Sequence, residues 1–369
     1  MLRGLPRNKN NFLTNVSWAC PEVVYYQKIM RNILVTGGSG FIGSNFIIYY
    51  LDHNPDAFII NLDALTYAAN IDNLKEIANH PRYQFIQGNI CDRALIERIF
   101  SKYDIKDVIH LAAESHVDNS IAHPDAFMLT NIMGTFNLLD VAKNYWMESS
   151  GIYKIQYQNS RFHHVSTDEV YGTLGETGLF KETTAYAPNS PYSASKASSD
   201  FIVRSYHHTY GMNVVTTNCS NNYGPKQHDE KLIPVIIRKA LAGENIPIYG
   251  NGKNIRDWLY VLDHCKGIEL AFQKGASGST YNIGSKNERT NIYIAQKICE
   301  LLDKKVPLES GESYAGQISY VTDRAGHDFR YAIDASKIEN ELGWKADENF
   351  ESGIEITVDW YVKKYIGEI

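Results

Sequence analysis

From residue 31 onward the sequence predicts an α/β chain, a doubly wound parallel sheet with a smaller α/β portion at its C-terminal end. Short runs rich in Ile, Val and Leu alternate with helical stretches, the pattern of parallel strands covered on both faces. A glycine-rich turn, "LVTGGSGFIGS", joins the first such run to the first helix. Beyond Pro225 the alternation loosens into helices set among short strands and loops, which suits a smaller substrate-binding portion laid over the carboxyl edge of the sheet.

Taken in order, "NILVTGG" reads as a strand, "GFIGSNFIIYYLDHN" as a helix and "FIINLDA" as a strand. "IDNLKEIANH" follows as a helix, "YQFIQGNI" as a strand, "RALIERIFSKY" as a helix and "DVIHLAA" as a strand. The next helix, roughly 125–147, is apolar on more than one face, through Phe127, Leu129, Ile132, Met133, Phe136, Leu138, Leu139 and Val141. Such a helix must be covered twice, by the sheet and by something else, and a second copy of the chain would serve. "RFHHVST" is then a strand, "SPYSASKASSDFIVRSYHHTYG" a long helix and "NVVTTNCSNNYGP" a further strand. "KLIPVIIRKALAGE" and "NIYIAQKICELLD" are the helices of the smaller portion. The expected division is an N-terminal extension over 1–29, a sheet domain over 30–217 to which segments near 255–285 return, and a smaller domain over 218–369.

With 369 residues, 44% hydrophobic and 21% charged, the chain can bury a substantial core. Its net charge of -6 argues against nucleic acid or an anionic membrane surface as partner. The cysteines Cys20, Cys91, Cys219, Cys265 and Cys299 are scattered, odd in number and without a C-x-x-C, so they read as reduced and the protein as intracellular, in the cytoplasm. The pairs His163-His164 and His207-His208 diverge on any regular element and no H-E-x-x-H occurs, so no metal site is expected. No apolar run approaches the roughly 18 residues needed to cross a bilayer. Residues 1–29 are basic, Asn-rich and aperiodic, and "FLTNVSWAC" is too polar for a signal peptide core, so a disordered extension is expected.

The glycine turn points to a dinucleotide. Gly37, Gly40 and Gly43 permit the tight turn, a close approach to a pyrophosphate and close helix packing, while the helix N-terminus supplies partial positive charge. This is the Rossmann-type arrangement. The second strand ends at Asp63, where a carboxylate grips ribose hydroxyls and repels a 2′-phosphate, which favours NAD over NADP. Asn89 and Ile90 at the third strand end, and the small Ala112 and Ala113 at the fourth, belong to the same edge.

"YSASK" places Tyr192 and Lys196 on one helix face, where a nearby ammonium and a positive nicotinamide can stabilise a phenolate base. "STDEVYG" puts Asp168 and Glu169 where a buried strand surfaces. As an extended pair they would point to opposite sides and reach different atoms of a bound molecule. Taken alone, the stretch favours the plainer reading, Ser166, Thr167 or Asp168 capping a helical turn.

"TGGSGFIG", Tyr192-x-x-x-Lys196 and "NNYGP" resemble the extended short-chain dehydrogenase/reductases. "HLAAESHVDNSI", "STDEVYG", "SPYSASKASSD", "NCSNNYGP", "EKLIP", "RDWLYV" and "DRAGHDFRYAID" are similar, more narrowly, to the dTDP-glucose 4,6-dehydratases among them, from about Arg31 to Tyr361. That resemblance implies a homodimer that takes dTDP-glucose and holds NAD. It also implies oxidation at sugar C4 by Tyr192, Glu169 as base at C5, Asp168 as acid toward the C6 hydroxyl, and Thr167 bonded to the C4 oxygen. It extends the cofactor set to Phe41, Ile42, Ala64, Leu65, Thr66, Leu111, Ser115, Thr130 and Asn222. For the substrate it implies Ser115, Thr167, Asn221, Lys231, Leu232, Pro247, Ile248, Tyr249, Arg256, Asn291, Asp323, Arg324 and His327, with Glu230 and Tyr331 at the sugar. Ala69 and Ala325 stand where the family pattern has Gly and Pro, and Asn119 where it has Arg. Rival readings are a dehydratase or epimerase of another nucleotide sugar, which the acidic pair disfavours for the epimerase, and a non-catalytic NAD-binding scaffold, which would be expected to lack Tyr192 or Lys196.

Overall fold

The computed structural model describes residues 30–323 and 328–367. The extension expected over 1–29 lies outside the described residues, as do Arg324, Ala325 and His327.

The first half builds a sheet by simple alternation: β1 (Arg31–Thr36), α1 (Phe41–His53), β2 (Ala57–Asp63), β3 (Tyr83–Gln87), α2 (Arg93–Tyr103) and β4 (Asp107–His110). A helical stretch follows, α3 (Val117–Ala122), α4 (Pro124–Phe127) and α5 (Thr135–Trp146), and then a small hairpin of β5 (Met147–Ser149) and β6 (Ile152–Tyr153). β7 (Arg161–Thr167), α6 (Pro191–Tyr210), β8 (Val214–Cys219) and β9 (Asn221–Tyr223) complete this part. The smaller portion contains α7 (Leu232–Leu241), β10 (Ile246–Tyr249), β11 (Ile255–Tyr260), α8 (Val261–Lys274), β12 (Thr280–Ile283) and β13 (Glu288–Thr290). It ends with α9 (Asn291–Lys305), β14 (Ile318–Val321), α10 (Ser336–Leu342) and α11 (Phe350–Ile366).

Seven parallel strands form the main sheet in the order β12-β8-β7-β4-β1-β2-β3. The order reverses between β1 and β4, and a crevice opens outside the carboxyl ends of the strands at that point. Alternation along β1 sends Leu34 to one face and Ile33 and Val35 to the other. Leu34 packs with Phe100, Leu138, Trp146 and Phe162 beneath α2, α5 and α6. Ile33 and Val35 pack with Phe46, Ile47, Val261 and Ile268 beneath α1 and α8. A separate core of Ile233, Ile236, Trp258, Ile298, Phe350 and Val358 lies among α7, α9 and α11.

Four expectations change. Residues Ile71–Ile77 form a 3₁₀ turn rather than an α-helix, with Leu74 alone buried, so too little apolar surface is covered to hold a longer helix. The helix expected over 125–147 contains a π-helical segment, Met128–Gly134, between α4 and α5. "NVVTTNCSNNYGP" divides into β8 and β9, and β9 pairs with β11 rather than with the main sheet. Within 255–285, β12 joins the main sheet and α8 covers it, whereas β11 sits between β9 and β13 in a three-stranded sheet of its own.

Candidate active site

The crevice is shaped first by glycine. Gly37 ends β1 at a φ of 72°, and a Cβ there would lie 2.6 Å from the backbone of Ala112. At Gly43 a Cβ would lie 2.2 Å from the carbonyl oxygen of Gly37, so the turn and α1 pack at backbone contact. Gly40, at the N-cap of α1, brings no side-chain cap, and the first turn carries no acidic residue. The unsatisfied N–H groups and the positive end of the helix are therefore presented to an anion.

Asp63, at the end of β2, is fixed from both sides: Ser39 N–H donates to Oδ2 at 2.9 Å and Leu65 N–H to Oδ1 at 2.8 Å. Burial raises its pKa, and the two backbone donors oppose that shift. A cavity of about 350 Å³ lies above these residues, lined by Gly37, Gly40, Phe41, Ile42, Gly43, Asp63, Ala64, Thr66, Asn89, Ile90, Leu111, Ala112, Ala113, Ser115, Thr130 and Asn222. Leu65 stands outside the lining, in the left-handed region at a φ of 52°. A glycine cradle, an uncapped helix terminus and a second-strand carboxylate together fit a dinucleotide whose ribose keeps its 2′-hydroxyl.

The same cavity is lined by Thr167, Asp168, Glu169, Tyr192, Lys196, Asn221 and Lys231. Asp168 and Glu169 are not on an extended segment as expected but open a 3₁₀ turn, Asp168–Tyr171, in which Thr167 Oγ1 accepts Glu169 N–H at 3.3 Å. Capping thus falls to Thr167. Asp168 is 2% exposed and its Oδ2 has no hydrogen-bond partner among the described residues. Burial, reinforced by Glu169 and Asp257 and opposed by Arg256 and Thr167, holds its carboxyl well above the usual carboxylate range. It lines the cavity beside Glu169.

Tyr192 and Lys196 sit in the first two turns of α6. Ser190 and Ser193 form a reciprocal capping box there, and Pro191 stands at the first helical position. Burial pushes the Tyr192 phenol well up, with Glu169 and Cys219 adding to it and a hydrogen bond from Thr167 opposing. The Lys196 ammonium donates to the Val165 carbonyl at 2.9 Å. It is thus anchored to a strand end rather than to the phenol.

Of the remaining expected substrate residues, Lys231 approaches the Ser115 carbonyl at 3.3 Å, and Glu230 has His228 at 3.7 Å and Lys231 at 3.7 Å. Glu230, Leu232, Pro247, Ile248, Tyr249, Arg256, Asn291, Asp323 and Tyr331 stand outside the lining of this cavity. Arg256 lies over the ring of Tyr331 at 4.4 Å and donates to the carbonyls of Ile255 at 2.7 Å and Asp328 at 3.0 Å. Burial first and Glu169 second raise the pKa of Tyr331, which places that ring within electrostatic reach of the acidic pair. Pro247, Ile248 and Tyr249 form the end of β10, Leu232 and Asn291 begin α7 and α9, and the Asp323 carboxylate lies against Gly250. Arg324 and His327 fall outside the described residues.

Sequence reasoning passed over Glu114, Cys219, Gln227 and His228, which also line the cavity, and Asp200 behind it. Only the spacing of Asp200 from Lys196, one helical turn, offered a signal. Among the described residues no group of three His, Cys, Asp or Glu side chains is placed to hold a metal ion.

Comparison with known proteins agrees with this geometry. Residues 34–357 match the family model described as GDP-mannose 4,6 dehydratase. A dTDP-glucose 4,6-dehydratase of Xanthomonas campestris pv. campestris (strain B100) is 54% identical over 333 residues, 90% of this chain and 93% of that protein. The crystal structure of dTDP-glucose 4,6-dehydratase from Bacillus anthracis in complex with NAD superposes with a TM-score of 0.80 at 46% identity, covering 91% of this chain and 98% of that one. The Streptomyces venezuelae dTDP-glucose 4,6-dehydratase, with NAD and TYD bound, gives a TM-score of 0.81 at 41% identity over 90% of this chain and 98% of that one. The chain belongs to the GDP-mannose 4,6 dehydratase family and, within it, to the dTDP-glucose 4,6-dehydratases.

Proposed function

We propose that this chain converts dTDP-glucose to dTDP-4-keto-6-deoxyglucose and water, with NAD held in the glycine-cradled crevice. The observation that carries the proposal is the buried Asp168, its Oδ2 unpartnered among the described residues and its pKa raised by burial, lining one cavity with Glu169, Tyr192 and Lys196. NAD supplies a hydride acceptor at C4 and gives the hydride back at C6, so it ends the cycle unchanged. Tyr192 takes the proton of the C4 hydroxyl while Thr167 orients that oxygen. Once C4 is a carbonyl the C5 proton is acidic, and Glu169 removes it. Asp168 gives its proton to the C6 oxygen, which departs as water, and a proton returns to C5 from Glu169. Two neighbouring carboxyls serve as acid and base because one is sealed from water and the other is only partly buried.

Gly37, Gly40, Gly43 and Asp63 are assigned to the cofactor, whose pyrophosphate meets the start of α1. Lys231 and Arg256 supply cations for the substrate pyrophosphate in an otherwise acidic chain. Residues 30–217, joined by β12 and α8, form the NAD-binding part, and 218–369 mainly the sugar-nucleotide part. Ile121, Leu129, Met133 and Phe201 are 47–58% exposed around α3, the π segment and α6, and are assigned to the interface of a homodimer. No helix among the described residues is long and apolar enough to cross a membrane, and the described cysteines are unpaired. The test is incubation with dTDP-, UDP- and GDP-glucose, scoring the 4-keto-6-deoxy product. Turnover of dTDP-glucose is expected, and absence of that product with every donor overturns the proposal.

A further inference from the structure

Behind the catalytic helix, on its sheet side, lies a buried polar cluster that the reaction scheme leaves unused. Asp200 sits one helical turn beyond Lys196 on α6 and is 5% exposed. His164 Nε2 lies 3.0 Å from its Oδ1, and the hydroxyls of Ser166, at 3.0 Å, and Tyr186, at 2.9 Å, donate to its Oδ2. Burial holds His164 well below the usual imidazole range, so the ring is neutral and meets the carboxylate as an N–H donor. Burial raises the pKa of Asp200 to about 6, and Lys196 and the hydroxyls of Ser166 and Tyr186 oppose that shift.

Lys196, 4% exposed, has a neutral carbonyl as its hydrogen-bond partner. A buried ammonium needs a counter-charge, because desolvation otherwise drives it to release its proton. The groups acting on it from the packed elements are Asp200 on its own helix, Cys219 on β8, and His164 and His110 on β7 and β4. Burial makes both histidines neutral and pushes the Cys219 thiol up to about 12, so Asp200 is the anion of this set. Around Asp200 stand Lys196, His164, Ser166 and Tyr186, with Tyr171 further out. The groups acting on Tyr192 beside burial are Glu169, Cys219, Thr167 and Asp168, so the effect of Asp200 is read first at the lysine itself.

We propose that Asp200 is a positioning residue: its buried carboxylate, clamped by His164, Ser166 and Tyr186, is the counter-charge that keeps Lys196 an ammonium at the back of the cavity. The inference rests on the roles given above to Tyr192 and Lys196. Its sign is fixed. Burial already lowers the pKa of Lys196, and loss of the anion lowers it further.

The test compares wild type, Asp200→Asn and Tyr186→Phe, all as the full chain with NAD. Two readouts are taken: the pH profile of kcat/KM with dTDP-glucose, and carbon NMR titration of lysine-labelled protein, with the Lys196 signal identified by its loss in Lys196→Arg. In Asp200→Asn the Lys196 midpoint and the alkaline limb of the profile are expected to fall together by about 1–3 pH units, the effect of one close opposite charge. Tyr186→Phe, which removes a donor but no charge, shifts them in the same direction by less. A Lys196 midpoint that stays in place in both variants, with only thermal stability reduced, makes the cluster purely structural and overturns the inference. Should Asp200→Asn fail to fold, Tyr186→Phe decides alone, since an unmoved lysine midpoint there also overturns it. Failure of the wild type to dehydrate dTDP-glucose would overturn the proposed function, while the NMR midpoints would still judge Asp200.

Discussion

Asp168→Asn separates proton donation from shape. In the folded protein burial raises the carboxyl's pKa well above its usual value, and its Oδ2 meets no partner among the described residues. Asparagine fills nearly the same volume and can still meet Thr167, but its amide has no acidic proton to give. The C6 oxygen must then leave as hydroxide, which is expected to slow elimination by about 10²–10⁴-fold, or about 3–5 kcal/mol of barrier. Stability moves the other way. A carboxyl whose folded pKa is raised above 3.8 contributes stability in full below that value and loses it as pH rises toward the folded pKa. Asparagine has no such dependence, so the variant should be at least as stable as wild type at pH 7, and its advantage should vanish near pH 4.

The assay is rapid mixing with dTDP-glucose while following reduced nicotinamide. Asp168→Asn should show an undiminished burst and then stall. Glu169→Gln should stall at the same stage, and should also lose exchange of the C5 proton with solvent. A substrate carrying fluoride at C6, which leaves without protonation, should rescue Asp168→Asn and not Glu169→Gln. Equal rescue of the two variants refutes the division into acid and base. Normal turnover by both would remove the pair from the reaction altogether.

Three further outcomes are expected. Gly43→Ala would put a methyl group 2.2 Å from the Gly37 carbonyl oxygen and 2.7 Å from Gly38 Cα, both backbone atoms, so it should cost about 2–4 kcal/mol and release bound NAD. Thermal melting and cofactor content after gel filtration check it, and a wild-type melt would contradict the packing described. Burial raises Asp200 from 3.8 to about 6, so its stabilising contribution is present below 3.8 and is lost as pH rises through 6. Denaturant unfolding should accordingly show wild type losing about 2 kcal/mol relative to Asp200→Asn between pH 4 and pH 7, and parallel curves would refute the burial argument. Deuterium placed at C4 of dTDP-glucose should reappear at C6 of the product with no net release of NADH, and washout to solvent would exclude the internal relay.

What the sequence revealed was whatever local chemistry determines. α2 coincides with "RALIERIFSKY" because its apolar residues share one face and Asp92 accepts Leu95 N–H at its start. The glycine turn, Asp63 and the Tyr192–Lys196 spacing were visible because each is dictated by one strand or one helix. The π segment over 128–134 was not, since widening one turn leaves the composition of the helix unchanged. Nor was the Asp200 cluster, whose donors come from β7 and from the loop before α6 and meet only once the sheet has formed. Arg256 and Tyr331 are far apart in the chain and in contact in space, so only family resemblance pointed to both.

β8 is buried along its whole length because β12 closes its outer edge. A chain cut after Tyr223 would leave "VVTTNC" as an uncharged, β-branched open edge, the kind of surface on which sheets of separate molecules join. Grafting a different sugar-binding portion onto this sheet must therefore carry Thr280–Ile283 along or provide a surrogate strand. The ribosome faces the same geometry in time. It delivers β12 about 60 residues after β8, roughly 3–12 s later at ordinary elongation rates, and for that interval the nascent sheet carries an unprotected flank.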